Sequence, residues 1–159
     1  MGLDMYLNKR KRLDVYDFDK DECTAKKVTV TVKSEFADGE VKEQEYVVDN
    51  PDFDGRVDLP FMYWRKANAI HAWILRATKQ KEDNCKPIEI YGDKLIELAK
   101  TCKAVLDDHT KAEELLPTQE GFFFGSTDYD EYYYRDLQDT YEKFKDVNPN
   151  DCFIYQASW

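Results

Sequence analysis

Arg65, Asn68 and His71 follow one another at three-residue spacing inside the segment 61–78. The guanidinium of arginine is a rigid donor fork for phosphate or carboxylate. An asparagine amide offers donors beside an acceptor, and histidine can exchange a proton near neutral pH. Drawn as a helix at about 100° per residue, the segment puts Trp64, Ala67, Ile70, Ile74 and Leu75 on one apolar face. Asn68 and His71 fall inside that face. Arg65, Ala72 and Arg76 lie on its flank, and Trp73 points away from the core. Buried without partners, each misplaced polar group costs ~1–3 kcal/mol, so both must meet polar neighbours. Either they are satisfied within the core, by backbone carbonyls or an acid such as Asp4, or they line a pocket with Arg65 at its rim.

The segment 118–127, Thr-Gln-Glu-Gly-Phe-Phe-Phe-Gly-Ser-Thr, is the second unusual feature. Two glycines bracket three phenylalanines, and Thr127-x-x-Asp130 reads as a capping box for a following helix. Gly125 and Ser126 then stand where backbone N–H groups can meet an anion. Asp128, Asp130 and Glu131 already complement that helix end and would repel phosphate. A P-loop is excluded, since no Gly-Lys-Ser/Thr occurs. At least two of the three Phe are expected to fill the core, leaving Gln119, Ser126 and Thr127 to face a ligand.

Other chemistry is poorly supplied. Asn50-x-Asp52-x-Asp54-Gly55 copies half of a calcium loop, but Phe61 stands where the bidentate Glu is required. Cys23, Cys85, Cys102 and Cys152 are far apart, and neither histidine sits at zinc-ligand spacing from them, so no metal site is expected. No Gly-x-Ser-x-Gly is present, and His109 stands in a polar stretch beside Asp107 and Asp108. Only His71 remains as an acid–base candidate. No catalytic residue and no cofactor is assigned.

These residues need a scaffold. Leu3-Asp4-Met5-Tyr6-Leu7 alternates as a half-buried strand does, and 27–36 and 41–48 alternate on either side of Ala37-Asp38-Gly39, a hairpin turn. Residues 14–22 and 49–60 read as loops, 61–78 as a helix and 88–91 as a short strand. A helix capped by Asp93 carries Leu95, Leu98, Ala99, Cys102, Val105 and Leu106 on one face. One or two turns over 111–116 stop at Pro117. The last helix spans 127–145, with Tyr134, Leu137, Tyr141 and Phe144 inward, and 153–155 closes as a strand. The order predicts a single α+β domain over 1–159. In it an antiparallel sheet of the N-terminal strand, the hairpin and the C-terminal strand packs against three or four helices.

The 159 residues suffice for a core without disulfides. Net charge is −10, distributed as −5 over 1–60, +3 over 61–100 and −8 over 101–159. That balance argues against direct nucleic-acid binding. Aromatics at 14% argue against disorder. No apolar run reaches the ~20 residues of a membrane span. The first residues, with the basic run Lys9-Arg10-Lys11-Arg12, contain no secretory h-region, so a reduced, cytoplasmic setting is expected.

Three blocks together resemble a family of small proteins encoded by bacteriophages and prophages: residues 1–7 (Met-Gly-Leu-Asp-Met-Tyr-Leu), residues 63–73 and residues 115–130. The resemblance runs from end to end of the chain. It implies a phage accessory protein acting in the bacterial cytoplasm, on host physiology or defence, and carries no catalytic residues with it.

Two functional expectations follow. In the first, Trp64, Arg65, Asn68, His71, Gln119, Phe122, Phe124, Ser126 and Thr127 bind a small polar ligand, nucleotide-like because aromatic faces alternate with fixed donors. In the phage context that ligand is a host immune signal held out of circulation. In the second, the acidic surface binds and inhibits a host protein by mimicking nucleic-acid charge. An enzyme using His71 as acid or base ranks last, for want of a nucleophile or metal. Oligomeric state is not legible.

Overall fold

The computed structural model describes residues 2–13, 16–17, 22–23, 27–35, 41–49 and 54–159. In chain order the strands are β1 (Asp4–Arg12), β2 (Tyr16–Asp17), β3 (Glu22–Cys23), β4 (Lys27–Glu35), β5 (Val41–Asp49) and β6 (Arg56–Arg65). Helix α1 (Asn68–Ala77), strand β7 (Ile88–Tyr91) and helix α2 (Gly92–Asp107) follow. A 3-10 turn (His109–Lys111), α3 (Ala112–Leu115), α4 (Glu131–Phe144) and β8 (Cys152–Ser158) complete the order. The chain forms two compact units, one of Met1–Lys9 with Pro60–Trp159 and the other of Arg10–Leu59.

The larger unit is α+β: a four-stranded antiparallel sheet, order β6-β1-β8-β7, with helices. β1 keeps the period of two that its sequence announces: Leu3, Met5 and Leu7 are fully buried and Tyr6 is exposed. β8 answers with Phe153, Tyr155 and Ala157, and β7 pairs with it from Ile88↔Tyr155 to Tyr91↔Cys152. Leu95, Leu98, Ala99, Cys102 and Val105 form the buried stripe of α2. Burial pushes the Cys102 thiol up to about 12, so it behaves as a small hydrophobe. α4 buries Tyr133, Leu137, Thr140 and Phe144; Tyr134 and Tyr141, expected inward, are only half-buried.

Several sequence expectations need correction. Residues 61–78 are not one helix: Arg56–Arg65 is strand, and the helix begins at Asn68. Long-range pairing decides this, since Tyr63 Oη donates to Asp4 at 2.5 Å and Lys66 N donates to Leu3 O at 2.7 Å. Trp73 does not point away from the core, because α1 is buried continuously from Asn68 to Ile74. α4 is capped by Asp130, whose Oδ1 accepts from Tyr133 N at 3.0 Å, and Thr127 is no cap. The first amides of α2 are met by backbone rather than by an Asp93 side chain: Gly92 N donates to Asp151 O at 2.9 Å and Asp93 N to Pro149 O at 3.0 Å.

In the smaller unit β4 and β5 form their own two-stranded sheet and do not join the four-stranded one. Their register runs from Lys27↔Asp49 to Glu35↔Val41, and Lys33 pairs with the facing Glu43. The Ala37-Asp38-Gly39 turn lies outside the described residues. The acidic stretch 14–22, expected as loop, contributes β2 to a ladder with β3, Tyr16↔Cys23 and Asp17↔Glu22. Of the calcium-like run, residues 50–53 lie outside the described residues. Asp54 pairs with Arg56, whose guanidinium holds the carboxyl below its usual range.

Candidate functional site

Asn68 is the first residue of α1 and has 3% of its surface exposed. Its Nδ2 donates to Phe124 O at 3.0 Å and to Ser126 O at 2.9 Å, and its Oδ1 accepts from Gln119 N at 3.0 Å. One side chain thus fixes the connection between α3 and α4. Leu3 N donates to Phe123 O at 3.0 Å, tying the same connection to the N-terminal segment. Gly125 turns the chain with φ +90°, a left-handed backbone that suits glycine.

His71 is fully buried. Its Nδ1 lies 2.6 Å from Tyr155 Oη and its Nε2 lies 2.8 Å from Asp83 Oδ2. Trp159 Nε1 donates to the same Asp83 oxygen at 2.9 Å. Tyr155 Oη and Asp83 Oδ2 together engage both nitrogens of the ring. Burial, with Asp83 nearby, pushes the Tyr155 hydroxyl well above its usual value. Both polar residues found on the helix wheel are therefore satisfied, and no buried side-chain N or O among the described residues lacks a partner.

They differ in what else they reach. Asn68 borders a cleft of about 380 Å³ between the start of α1, the α3–α4 connection and α4. Arg65 and Lys66 flank one side. Thr118, Ser126, Asp128 and Asp130 edge it, and Tyr132, Tyr133, Asp136 and Leu137 form the α4 wall. Asp130 caps α4, and Asp128 accepts from Ser126 Oγ at 2.9 Å. Burial pushes the Asp136 carboxyl up to about 6; Arg135 opposes the shift, while Asp139 and Asp130 add to it.

Of the nine ligand candidates, Arg65, Asn68 and Ser126 meet in this cleft. His71 is fully buried and does not line it. Trp64 is buried, its Nε1 donating to Thr140 Oγ1 at 2.8 Å. Phe124 packs in the core, edge-on to His71 at 5.4 Å and to Trp159 at 6.1 Å. Phe123 is half-buried, whereas Phe122 is 94% exposed. Gln119 acts through its backbone N–H, and the carbonyl of Thr127 accepts from Thr118 Oγ1 at 2.8 Å. His109 is exposed as expected and stacks on Tyr134 at 3.9 Å between ring centres. The reading missed Lys66, Tyr132, Tyr133 and Asp136. Tyr132, Tyr133, Asp136 and Leu137 share one helix face by their three- and four-residue spacings, a signal that assigning Tyr134 inward concealed.

The cleft can do two kinds of chemistry side by side. Its two cations, Arg65 and Lys66, suit an oxyanion. Its carboxylates and serine hydroxyl suit N–H donors, and tyrosine rings offer apolar surface. Among the described residues no group of three or more His, Cys, Asp and Glu is arranged to hold a metal ion, and no helix is long and apolar enough to cross a membrane. No protein-family model, curated protein or solved structure matches the chain.

Proposed function

We propose that the protein binds a small polar, nucleotide-like ligand in the cleft between α1 and α4. The observation that carries this reading is the cleft itself. Its volume of about 380 Å³ falls in the range of small-molecule sites, and its lining combines opposite charges with aromatic surface. A ligand with an anionic group and a planar body bearing N–H groups matches this lining. A bare polyanion would meet Asp128, Asp130 and Asp136 and be repelled. In the phage setting that the sequence resemblance implies, binding would withdraw a nucleotide signal of the host. A catalytic role for His71 has less support, because the ring exposes no surface and both nitrogens are engaged.

Isothermal titration calorimetry with nucleosides, nucleoside 5′-monophosphates and cyclic dinucleotides tests the reading. At least one should bind, and Arg65→Ala or Tyr132→Ala should weaken it by about tenfold, the scale of one lost charged or stacking contact. No heat from any compound, or heat that both substitutions leave unchanged, would overturn it.

A further inference from the structure

Neighbouring residues on a strand point to opposite faces. Trp64 is buried and Arg65 exposed, so regular continuation of β6 would turn Lys66 back from the side Arg65 occupies. The backbone does not continue regularly. Lys66 has φ +62°, in the left-handed region that a non-glycine residue seldom enters. Two hydrogen bonds hold it there, Lys66 N to Leu3 O at 2.7 Å and Asn68 N to Lys66 O at 2.9 Å. Glycine would take this conformation without strain, yet the chain has lysine. Lys79 and Cys85 share this conformation at φ +55° and +59°, but of the three only Lys66 borders the cleft, and strained residues of this kind cluster at functional sites.

Two glycines leave room for that side chain. A Cβ built on Gly125 would lie 2.9 Å from Lys66 Cβ and 3.2 Å from its Cδ. A Cβ on Gly2 would lie 3.2 Å from Lys66 Cε and 4.0 Å from Arg65 Nε. The lysine stem thus passes over Gly125 towards Gly2, where the Arg65 guanidinium also arrives. Both residues border the cleft. Among the described residues the Lys66 ammonium has no ion pair. The carboxylate near Arg65 Nε is that of Asp4, at 3.9 Å, which already accepts from Tyr63 Oη. Two converging cations that share a single long contact with one already engaged carboxylate still repel each other, and an anion between them relieves that repulsion.

We infer that Arg65 and Lys66 form an oxyanion subsite of this cleft, and that the left-handed backbone at Lys66 brings the two cations to one side. This rests on the ligand-binding reading above and names the end of the ligand that each wall receives. The group accepted is a single phosphate monoester or a carboxylate, with the ligand body lying toward Tyr132 and Asp136.

Amide chemical shifts of the ¹⁵N-labelled full chain test it, with inorganic phosphate, acetate and adenosine as separate probes and adenosine 5′-monophosphate as the joined one. Phosphate or acetate should shift the amides of Lys66 to Ile70 and Ser126, the two probes separating a phosphate subsite from a carboxylate one. Lys66→Arg should keep that response. Lys66→Met keeps the stem and removes the charge, and should weaken it by about tenfold with a melting temperature within about 2 °C of wild type. Lys66→Gly, freed of strain, should also lose the response without losing a folded spectrum. An unchanged phosphate or acetate affinity in Lys66→Met overturns the subsite. So does a shift of the α4 amides by adenosine with no anion response at Lys66, which leaves the cleft reading standing. No response to any of the four probes overturns both.

Discussion

Asn68 commits its whole amide to the α3–α4 connection, two donor contacts and one acceptor contact on three backbone groups. Removing them by Asn68→Ala leaves buried carbonyls and an N–H to find water, an expected loss of about 2–3 kcal/mol in urea unfolding. Asn68→Asp should cost at least as much. Its carboxylate can still accept from Gln119 N, but it sets an oxygen against the carbonyls of Phe124 and Ser126. A loss below about 1 kcal/mol in both variants would mean that water replaces the amide freely. Asp136 gives a prediction with a pH signature. Its carboxyl sits at about 6 against an ordinary 3.8, so between these values the folded state binds more protons than the unfolded chain. Its favourable contribution is full below pH 3.8 and is lost as pH rises through about 6. Asp136→Asn should therefore be more stable than wild type at pH 8, with the advantage shrinking towards pH 5. Urea midpoints at the two pH values check this, and an equal advantage at both would contradict it. The sequence exposed Asn68 and His71 because polar residues interrupted an apolar stripe. It did not expose Asp136, which stands among the many acids of an acidic third.

At the scale of elements, local periodicity was sufficient where one element buries one face. α2 shows its stripe in the sequence, and β1 shows its alternation. It failed where two elements share one run. Trp64 belongs to a strand and Ile70 and Ile74 to a helix, yet all three fit one helical wheel. The break between them is the turn at Lys66, and its cause is pairing with Leu3, 63 positions away in sequence. Caps behaved likewise. Asp130 does cap α4, but the capping box placed the cap three residues too early. The start of α2 depends on backbone carbonyls of Pro149 and Asp151, which only the folded chain brings to it. That junction is tight: a Cβ on Gly92 would lie 2.0 Å from Asn148 O and 3.2 Å from Pro149 Cα. Gly92→Ala must therefore push the turn before β8 away from the helix. The expected cost is about 2–3 kcal/mol, measured as a fall in the urea midpoint. Amide exchange should accelerate at Asp93 and Asp151 before it does in the middle of α2. Uniform acceleration along α2 would count against a local junction.

At the scale of the larger unit, the α+β class was legible but the sheet order was not. Nothing local in β1 tells that it lies between β6 and β8, or that the β4–β5 hairpin stays outside this sheet. Long-range order needs polar anchors as well as apolar burial, because apolar contacts alone select position weakly. His71 is such an anchor. From α1 it joins Asp83, in the connection to β7, with Tyr155 of β8, and Trp159 closes on the same carboxylate. His71 and Tyr155 are 84 residues apart in the chain. His71→Phe keeps a ring of similar shape but strips Tyr155 Oη and Asp83 of their ring-nitrogen partner, for an expected loss of about 3 kcal/mol. Tyr155→Phe removes the hydroxyl that His71→Phe orphans. If the three groups act as one network, the double variant should lose less than the two single variants added together. The difference should be about 1–2 kcal/mol in a double-mutant cycle measured by urea unfolding. Strict additivity would mean that the hydroxyl and the ring stabilise the fold separately, and the anchoring would then rest on the Asp83 contacts alone.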